Sequence, residues 1–469
     1  MSLRDVTFNV EDGALGNSED TGTGVHVKIG ISPVTSTVPL LITSVMKPDK
    51  IKEKLGLSPL ADAAMDSIEN GAGKIYCIPV SPTTDGTISK AVHQGTGTGT
   101  VTLSGKPSNA YHIILKITEA GTLNTAAFVK SLNGGYSFDD EETIPLSGVY
   151  EIAGTGITAT FTGDFIEGDT YQFTSTAPAV NNAAIMKAVE GLYNSDLEFE
   201  FIHIVGPSSK ALWAALATCA ELFLSIFKRP VLFLCEGRYK TEDETLDEYV
   251  ESMKAESKGI DSYYIQVCCA WSQYTRWDGR EQLINNAGIV AGMYGLAGVQ
   301  QSIGRTDTFA VSEVKMTRLM PEGIEDYISE LDDAKYLTWR KYYGLSGCYV
   351  NNAKVLCKDG SDYRYAEHVR VLNKIIREVY KKAISLLQID IDASDDMETD
   401  INNLLEILNM PIEDMADAGE ISSGSISIAD MENINILQDE RLSLEIKFVP
   451  RGYVREFVFN TSMENPYRN

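Results

Sequence analysis

Phe199-Glu-Phe-Ile-His-Ile-Val205 is a short, mostly apolar run, and similar runs recur at residues 231–235 and 263–270. Helical patterns surround them, at residues 182–193, 208–228, 241–257 and 279–301. Short apolar strands that alternate with helices are typical of a mostly parallel or mixed sheet covered by helices. We therefore interpret residues 180–360 as an α/β central domain.

Upstream of this region, a helix, a turn and a strand follow one another. Ser58 and Pro59 have the residue types of an N-cap and a first helical position. Asn70-Gly71 predicts the turn, and Lys74-Ile-Tyr-Cys-Ile-Pro-Val80 predicts the strand. Residues 41–82 are thus a first part of the same core.

The N-terminal 40 residues contain few helix signals. Between Val25 and Ile31, polar and apolar side chains alternate, as they do in an edge strand. No partner strand is evident nearby in the sequence. Two interpretations remain open: a mobile arm that pairs with another molecule, and a strand of a local hairpin.

Residues 83–179 have a different composition, rich in Thr and Gly. Short strand patterns are separated by turns, at residues 101–103, 111–118, 148–152, 157–162 and 170–175. This spacing predicts a small antiparallel, sandwich-like domain. Because α/β patterns flank it on both sides, we interpret it as an inserted surface domain.

The final region, residues 361–469, combines helices of opposite charge with strands. An amphipathic helix is predicted over residues 366–388, and its basic residues are Arg370, Lys374, Arg377, Lys381 and Lys382. From residue 383 to residue 440 there are fifteen Asp or Glu and no Lys or Arg. A short helix is predicted near residues 401–408, and two strands, at residues 442–448 and 454–461, turn at Pro450-Arg-Gly452.

Bulk properties exclude several classes of protein. The chain has 469 residues and a net charge of −26, which disfavours binding to nucleic acid. The longest apolar run, residues 211–227, contains Thr218 and Glu221, so we predict a buried helix and no insertion into a membrane. The N-terminus lacks the pattern of a signal peptide, which indicates folding in a cytoplasm. The seven cysteines include no CxxC pair, and buried free thiols are expected.

Patterns that carry chemistry are weak throughout. Gly95-Thr-Gly-Thr-Gly-Thr100 lacks the Lys of a phosphate loop and precedes a strand. The acidic run from Asp390 to Asp396 lacks the Gly and Glu positions of an EF-hand. Cys268 and Cys269 are candidate nucleophiles with His203, but no oxyanion or orienting group is evident. We expect no catalytic, metal or cofactor site.

The order of elements resembles that of contractile phage tail sheath proteins, a family also found in phage-tail-like bacteriocins and contractile injection systems. The resemblance lies in the helix, Asn-Gly turn and strand of residues 60–80. It continues in the basic helix, short helix, acidic loop (residues 415–427) and closing strands of the C-terminal region. The stretch Ile446-Lys-Phe-Val-Pro-Arg-Gly-Tyr-Val-Arg-Glu-Phe-Val458 is the most similar. The inserted β-rich domain is also usual for that family.

The resemblance implies a structural subunit and not an enzyme. Such a subunit polymerises with itself as a metastable helical cylinder around a tail tube, and it contracts by rigid-body rearrangement of subunits. Its other partners would be baseplate and tail terminator proteins. It would lie in a virion or tail-like particle assembled in the cytoplasm of the host bacterium.

The resemblance also implies that terminal strands are exchanged between subunits. The candidate residues for this exchange are Val25, Val27, Ile29, Ile31, Val454, Phe457, Val458 and Phe459. Arg370, Lys374, Arg377, Lys381 and Lys382 are candidates for charge pairing between subunits, although two separately solvated faces would explain the same pattern. Two other functions remain open: an α/β enzyme with a β-sandwich accessory domain, and another tail or baseplate component.

Overall fold

A computed structural model describes residues 23–393, 397–429 and 436–464. The first part of the core contains the helix, turn and strand that the sequence predicts, preceded by two further strands and a helix. The elements are β1 His26–Ile31, β2 Leu40–Thr43, α1 Pro48–Leu55, α2 Pro59–Glu69 and β3 Lys74–Val80. The Ser58 side chain caps α2 by accepting a hydrogen bond from the Ala61 amide, as its position before Pro59 predicts.

The next segment forms an all-β insertion, as predicted. Its strands are β4 Val92–Gln94, β5 Thr100–Gly105, β6 Tyr111–Glu119, β7 Ala127–Ser131, β8 Glu142–Thr143, β9 Val149–Ile152, β10 Ile157–Thr162 and β11 Thr170–Ser175. They form two antiparallel sheets, in the orders β5-β10-β9 and β4-β11-β6-β7-β8. Phe128, Phe161 and Phe173 belong to an apolar core that the two sheets share.

The second half of the core returns to α/β structure. Its elements are α3 Asn182–Glu190, β12 Phe201–Pro207, α4 Lys210–Ser225, β13 Leu232–Glu236, α5 Leu246–Ser257, β14 Ile265–Cys268, β15 Trp271–Thr275, β16 Glu281–Asn285, α6 Ala287–Leu296, β17 Met316–Met320, α7 Ile328–Asp333, β18 Trp339–Arg340 and β19 Tyr349–Val350. The three apolar runs of the sequence become β12, β13 and β14, and this confirms the mixed sheet covered by helices.

The central sheet has six strands in the order β14-β13-β12-β1-β3-β2. All neighbours are parallel except β2, which is antiparallel to β3 at the edge. Strand β1 therefore lies in the interior of the sheet and joins the two halves of the core. Its Val27 pairs with Tyr76 of β3 on one side and with Ile202 of β12 on the other.

Helices α2 and α6 pack closely because glycine replaces a side chain at their contact. A Cβ at Gly292 would overlap the Ser67 carbonyl oxygen. The Ser67 hydroxyl donates a hydrogen bond of 2.6 Å to the Gly288 carbonyl oxygen across the same contact. The close approach of the two helices at this point thus requires glycine at position 292.

The chain divides into two compact units, with the division inside one helix. The described residues of Met1–Gly298 and Ser302–Val369 form the first unit, and those of Val299–Gln301 and Arg370–Asn469 form the second. The sequence places a boundary earlier, at residue 361, and its boundaries at 41, 83 and 180 fall within the first unit; all of them stay predictions. The inserted all-β segment belongs to the first unit.

The described part of the second unit contains two long helices, one short helix and a two-stranded sheet. Its elements are α8 Ala366–Ile384, whose first residues belong to the first unit, α9 Met397–Asp417, β20 Ile421–Ile428, α10 Ile436–Asp439 and β21 Leu444–Pro450. Helix α9 is longer than the predicted helix near residues 401–408. Val371, Ile375, Leu408, Ile412 and Ile426 form its buried core.

Among the described residues, no helix has the length and apolar character needed to cross a membrane. Helix α4, which contains most of the longest apolar run, instead packs into the core through Trp213, Leu216 and Phe223.

Candidate assembly surfaces

The N-terminal candidate for strand exchange lies inside the core. Val25, Val27, Ile29 and Ile31 are buried, and both hydrogen-bonding edges of β1 are occupied, by β3 and β12. An added strand would find no free edge here. The structure therefore contradicts the prediction that these four residues pair with another subunit, and it contradicts the edge-strand interpretation. Residues 1–22 of the predicted arm lie outside the described residues.

The alternation of polar and apolar residues in β1 suggests an edge strand with one exposed face, but the polar residues are buried as well. His26 and Lys28 are both fully buried. The Lys28 ammonium group lies 2.7 Å from Nδ1 of His203, a residue 175 positions away. Burial is the main cause that lowers the pKa of Lys28 to about 8. No local pattern in the sequence signals this partner.

The predicted C-terminal hairpin is also wrong. Strand β21 does not pair with residues 454–461; it pairs with β20, where Gly424 faces Phe448 and Ile426 faces Ile446. Strand β20 lies in the stretch that the sequence suggests is an acidic loop. Asn409 of α9 accepts a hydrogen bond from the Ile426 amide (2.7 Å) and donates one to its carbonyl oxygen (3.1 Å). This side chain therefore caps the edge of β20 that faces away from β21.

After β21 the described chain has no regular secondary structure, and its apolar side chains are exposed. The exposed fractions are 71% for Val454, 74% for Phe457, 74% for Val458 and 82% for Phe459. We call residues 454–461 the C-terminal arm. Just before it, Arg451 donates a hydrogen bond of 2.9 Å to the Gly419 carbonyl oxygen, and the Tyr453 hydroxyl donates one to that of Gln300. The chain is thus anchored up to Tyr453, and the apolar arm follows.

Exposure of four large apolar residues in six positions is costly in water. Full burial of one such side chain contributes about 1.5–3 kcal/mol. Contiguous exposed apolar surface of this kind marks sites of interaction between proteins. The C-terminal arm thus places four exposed apolar side chains within six positions of the described chain.

The basic residues of α8 differ from one another in their surroundings. Arg370 and Arg377 are buried, and Lys374 is paired with Glu420 at 2.6 Å within the same chain. These three residues do not form the basic solvent face that helical periodicity predicts, because the packing of α8 turns them inward. Lys381 and Lys382 are both exposed, and Lys381 lies 4.0 Å from Glu378. Only these last two lie where a pairing between subunits needs them.

The candidate nucleophiles lie in an environment that keeps them protonated. Cys268 and Cys269 are buried, and burial raises the pKa of Cys269 to about 12 and that of Cys268 far above its usual range. His203 is held between Lys28, at its Nδ1, and Glu236, whose Oε1 lies 3.1 Å from Nε2. Burial lowers its pKa well below the usual value. Both ring nitrogens are engaged, so His203 is not paired with a cysteine.

The glycine-rich loop surrounds a carboxylate of its own domain. Asp169 accepts hydrogen bonds from the amides of Thr96 (3.0 Å) and Gly97 (3.3 Å), and a Cβ at Gly97 would overlap it. The loop leads into β5, not into a helix. Of the acidic run, residues 394–396 lie outside the described residues. The described part of the chain contains no group of three or more His, Cys, Asp or Glu arranged to hold a metal ion.

Two family models match the sequence of this chain. The model of the DUF2586 N-terminal domain matches residues 3–354, and that of the DUF2586 C-terminal domain matches residues 362–468. No curated protein matches the sequence.

Among solved structures, this chain is similar to one from the sheath complex of PVC, an extracellular contractile injection system, in its contracted state. The TM-score is 0.56 at 10% identity, over 100% of this chain and 99% of the other. A chain of the contracted anti-feeding prophage (AFP) baseplate gives 0.53 at 14% identity, over 100% of both chains. The sheath tail protein of Desulfitobacterium hafniense gives 0.49 at 13% identity, over 95% of this chain and 100% of the other. The similarity to the PVC chain shows that this chain has a sheath protein fold.

Proposed function

The chain belongs to the DUF2586 family, and we propose that it is the structural subunit of a contractile sheath. The observation that carries this proposal is the exposed apolar C-terminal arm, on a chain that has the sheath fold over its full length. A subunit that polymerises needs a surface that is exposed in the single chain and becomes buried against a neighbouring subunit. The arm is such a surface.

We propose that the arm adds a strand to a neighbouring subunit. Strand addition gives affinity through main-chain hydrogen bonds and gives register through alternate side chains. The two-stranded sheet of the second unit is a suitable acceptor: Asn409 caps the outer edge of β20, whereas β21 has no strand on its outer edge within the described residues. A contact between the arm of one subunit and β21 of the next is heterologous, and such a contact propagates as an open helix when the rotation between subunits does not close into a ring.

The sheath would contract without a nucleotide. Contraction needs two packings of the same subunit that differ modestly in free energy. If each of roughly a hundred subunits releases about 1 kcal/mol, the sum is enough to drive a tube through an envelope. Shared strands would connect neighbouring subunits during this change, while the cores rotate as rigid bodies.

The proposed partners are further copies of this chain, a tail tube protein, and the baseplate and terminator proteins at the two ends. The net charge of −26 disfavours nucleic acid and keeps free subunits soluble before assembly. We place the assembled protein in a virion or tail-like particle that forms in the cytoplasm of a bacterial host. Lys381 and Lys382 are the candidates that remain for charge pairing with acidic residues of a neighbour.

We also propose that the protein is not an enzyme. The thiols that a catalytic reading of the sequence would use are buried and protonated, and the histidine is engaged at both nitrogens. This supports a structural role over the α/β enzyme alternative.

Negative-stain electron microscopy of the purified protein at high concentration tests the proposal. Striated hollow cylinders are the expected result, and their diameter distinguishes extended from contracted polymers. A tube or baseplate component would instead give thin tubes or closed rings. Discrete compact particles at every concentration, with or without the tube protein, would contradict the sheath function.

A further inference from the structure

At the β1–β12 pair of the parallel sheet, the order in which successive strands are added changes direction. From β1 the chain continues to β3 on one side, whereas β12, on the other side of β1, is followed outward by β13 and β14. The loops that leave β1 and β12 diverge, and in open α/β sheets this opens a crevice at the carboxyl ends of the strands. Ligands commonly bind there.

In this protein the crevice is a cavity of about 450 Å³. The ends of three strands line it, through Ile31 of β1, Gly206 of β12 and Glu236 of β13. Asp66 of α2 and Ser175 of the inserted domain line other walls. We call this cavity the switch-point cleft. Its volume lies within the range of roughly 300–1,000 Å³ that is typical of small-molecule sites.

The cleft is poorly suited to an anion. A phosphate site in this position uses the amides at a helix N-terminus. Here α2 begins with Pro59, which has no N–H, and the Ala61 amide already donates a hydrogen bond of 3.1 Å to Ser58. Asp62 and Asp66 line the same wall. This wall presents carboxylates where a phosphate would need donors.

The carboxylates of the cleft are unequally paired. Asp62 is saturated: Arg280 donates to both of its oxygens, at 2.5 and 3.2 Å, and Asn109 donates at 2.6 Å. Asp66 accepts from Arg276 through Oδ2 at 2.7 Å. Its Oδ1 is buried and accepts no hydrogen bond from the described part of the chain. Since Asp66 is only 3% exposed, this oxygen has a strong requirement for a donor.

Glu236 is the second incompletely neutralised carboxyl group. It is 8% exposed and lies 3.1 Å from His203, whose imidazole is kept neutral by burial. Burial raises the pKa of Glu236 to about 7, although a hydrogen bond from the Gly206 amide and the charges of Lys28 and Arg276 partly offset it. Burial likewise raises the pKa of Asp66 to about 6, and Arg276 and Lys28 offset it only in part. Such shifts are typical of buried carboxylates whose partners do not fully offset the loss of solvation.

We propose that the switch-point cleft binds an organic cation, a guanidinium or primary ammonium group, which donates hydrogen bonds to Asp66 Oδ1 and to the Glu236 carboxylate. The apolar part of the lining, which includes Val205 and Trp271, would contact the methylene groups of the same ligand. The cation is either that of a free small molecule or that of an Arg or Lys side chain of a neighbouring subunit. The proposal does not depend on the sheath function.

Isothermal titration calorimetry of the full chain with N-acetyl-L-argininamide, below called argininamide, tests the proposal. The matched ligand is N-acetyl-L-citrullinamide, below called citrullinamide, in which a neutral urea replaces the guanidinium. Acetylation removes the α-ammonium group from both ligands, so the guanidinium is the one cation in which they differ. We expect argininamide to bind at one site per chain, and citrullinamide to bind far more weakly. Asp66→Asn and Glu236→Gln should each weaken binding by about tenfold or more, which corresponds to one charge-assisted hydrogen bond.

A control separates the cleft from general attraction to an acidic protein. Asp140→Asn removes an exposed carboxylate of the inserted domain and should leave binding unchanged. If argininamide does not bind, if both ligands bind equally, or if Asp140→Asn weakens binding as much as Asp66→Asn does, the proposal is wrong.

One measurement needs no variant and is unaffected by misfolding. Between pH 6 and 7, argininamide should release protons from the unaltered protein, because the cation favours the ionised carboxylates. The heat of binding should therefore change with the ionisation enthalpy of the buffer. A heat that is the same in all buffers would contradict binding between Asp66 and Glu236.

The source of the cation is found by repeating the titration on assembled protein. If a side chain of a neighbouring subunit occupies the cleft, the polymer no longer binds argininamide, and saturating argininamide slows assembly. If the ligand is a free small molecule, the polymer and the single chain bind it equally. Either result supports the site and identifies its source.

Discussion

The ammonium group of Lys374 lies 2.6 Å from the carboxylate of Glu420, and both side chains are only 14% exposed. This pair joins α8 to the residue just before β20 within one chain. Together with the burial of Arg370 and Arg377, it leaves fewer basic side chains of α8 on the surface than the sequence suggests. Of the five basic candidates for pairing with a neighbour, Lys381 and Lys382 are the exposed ones.

Charge reversal at these two lysines tests pairing between subunits. Lys381→Glu combined with Lys382→Glu should leave the free energy of unfolding within about 0.5 kcal/mol, because both residues are on the surface. Assembly, measured by sedimentation as a function of salt, should weaken most at low ionic strength, where exposed charges are least screened. Unchanged assembly at every salt concentration would eliminate this pairing.

The C-terminal arm should act on assembly and not on folding. Replacement of Phe457 and Phe459 by Ser should change the free energy of unfolding by less than about 0.5 kcal/mol, since both side chains are exposed. Polymers should no longer form, as judged by electron microscopy and sedimentation. Val314→Ser, which alters a side chain that is 82% exposed outside the arm, serves as the matched control and should assemble normally. If the Phe457 and Phe459 variant still polymerises, the C-terminal arm is not part of the contact between subunits.

Strand β1 should behave in the opposite way. Ile29→Ala removes a fully buried side chain from the middle of the sheet, so it should lower the free energy of unfolding by about 2–5 kcal/mol. Chemical denaturation of the unassembled protein measures this change. If Ile29→Ala leaves stability unchanged and prevents only assembly, the hypothesis that the N-terminal segment is exchanged between subunits would be supported again.

The buried acid Glu236 should make stability depend on pH. Its pKa is about 7 in the folded protein against an ordinary value of 4.5. The folded state therefore binds more protons between these values, and stability falls as pH rises through this window. Glu236→Gln abolishes this titration, so its melting temperature relative to the unaltered protein should rise from pH 5 to pH 7.5 and then level off. Glu141→Gln, at an exposed position, should show a constant difference, and the same constant difference for Glu236→Gln would contradict the raised pKa.

The sequence predicts the elements whose signals are local. The apolar runs that become β12, β13 and β14 are separated by helices, and turn residues separate the strands of the insertion. Ser58-Pro59 identifies the first residue of α2 because capping depends only on adjacent residues. These parts of the fold follow from patterns within a few residues of each element.

The sequence does not predict pairings that depend on distant residues. Strand β20, Ile421-Ser-Ser-Gly-Ser-Ile-Ser-Ile428, is rich in Ser and resembles a loop. It becomes a strand through its pairing with β21, the packing of Ile421 and Ile426 in the core of the second unit, and the contacts with Asn409. In the same way, Asp66 and Arg276 are 210 residues apart. Nothing near either residue indicates a shared cleft, because acidic residues are common throughout this chain.

The interior position of β1 has a consequence for synthesis of the protein. His203, the partner of Lys28, is encoded 175 residues after it. At about 5–20 residues per second, synthesis of this interval takes on the order of ten seconds or more. The inserted domain is completed during that delay, while one edge of β1 has no strand beside it. Emergence of β12 from the ribosome therefore sets the earliest time at which the core can close. Chains that stop before residue 201 keep an open strand edge, and such edges favour aggregation with other nascent chains.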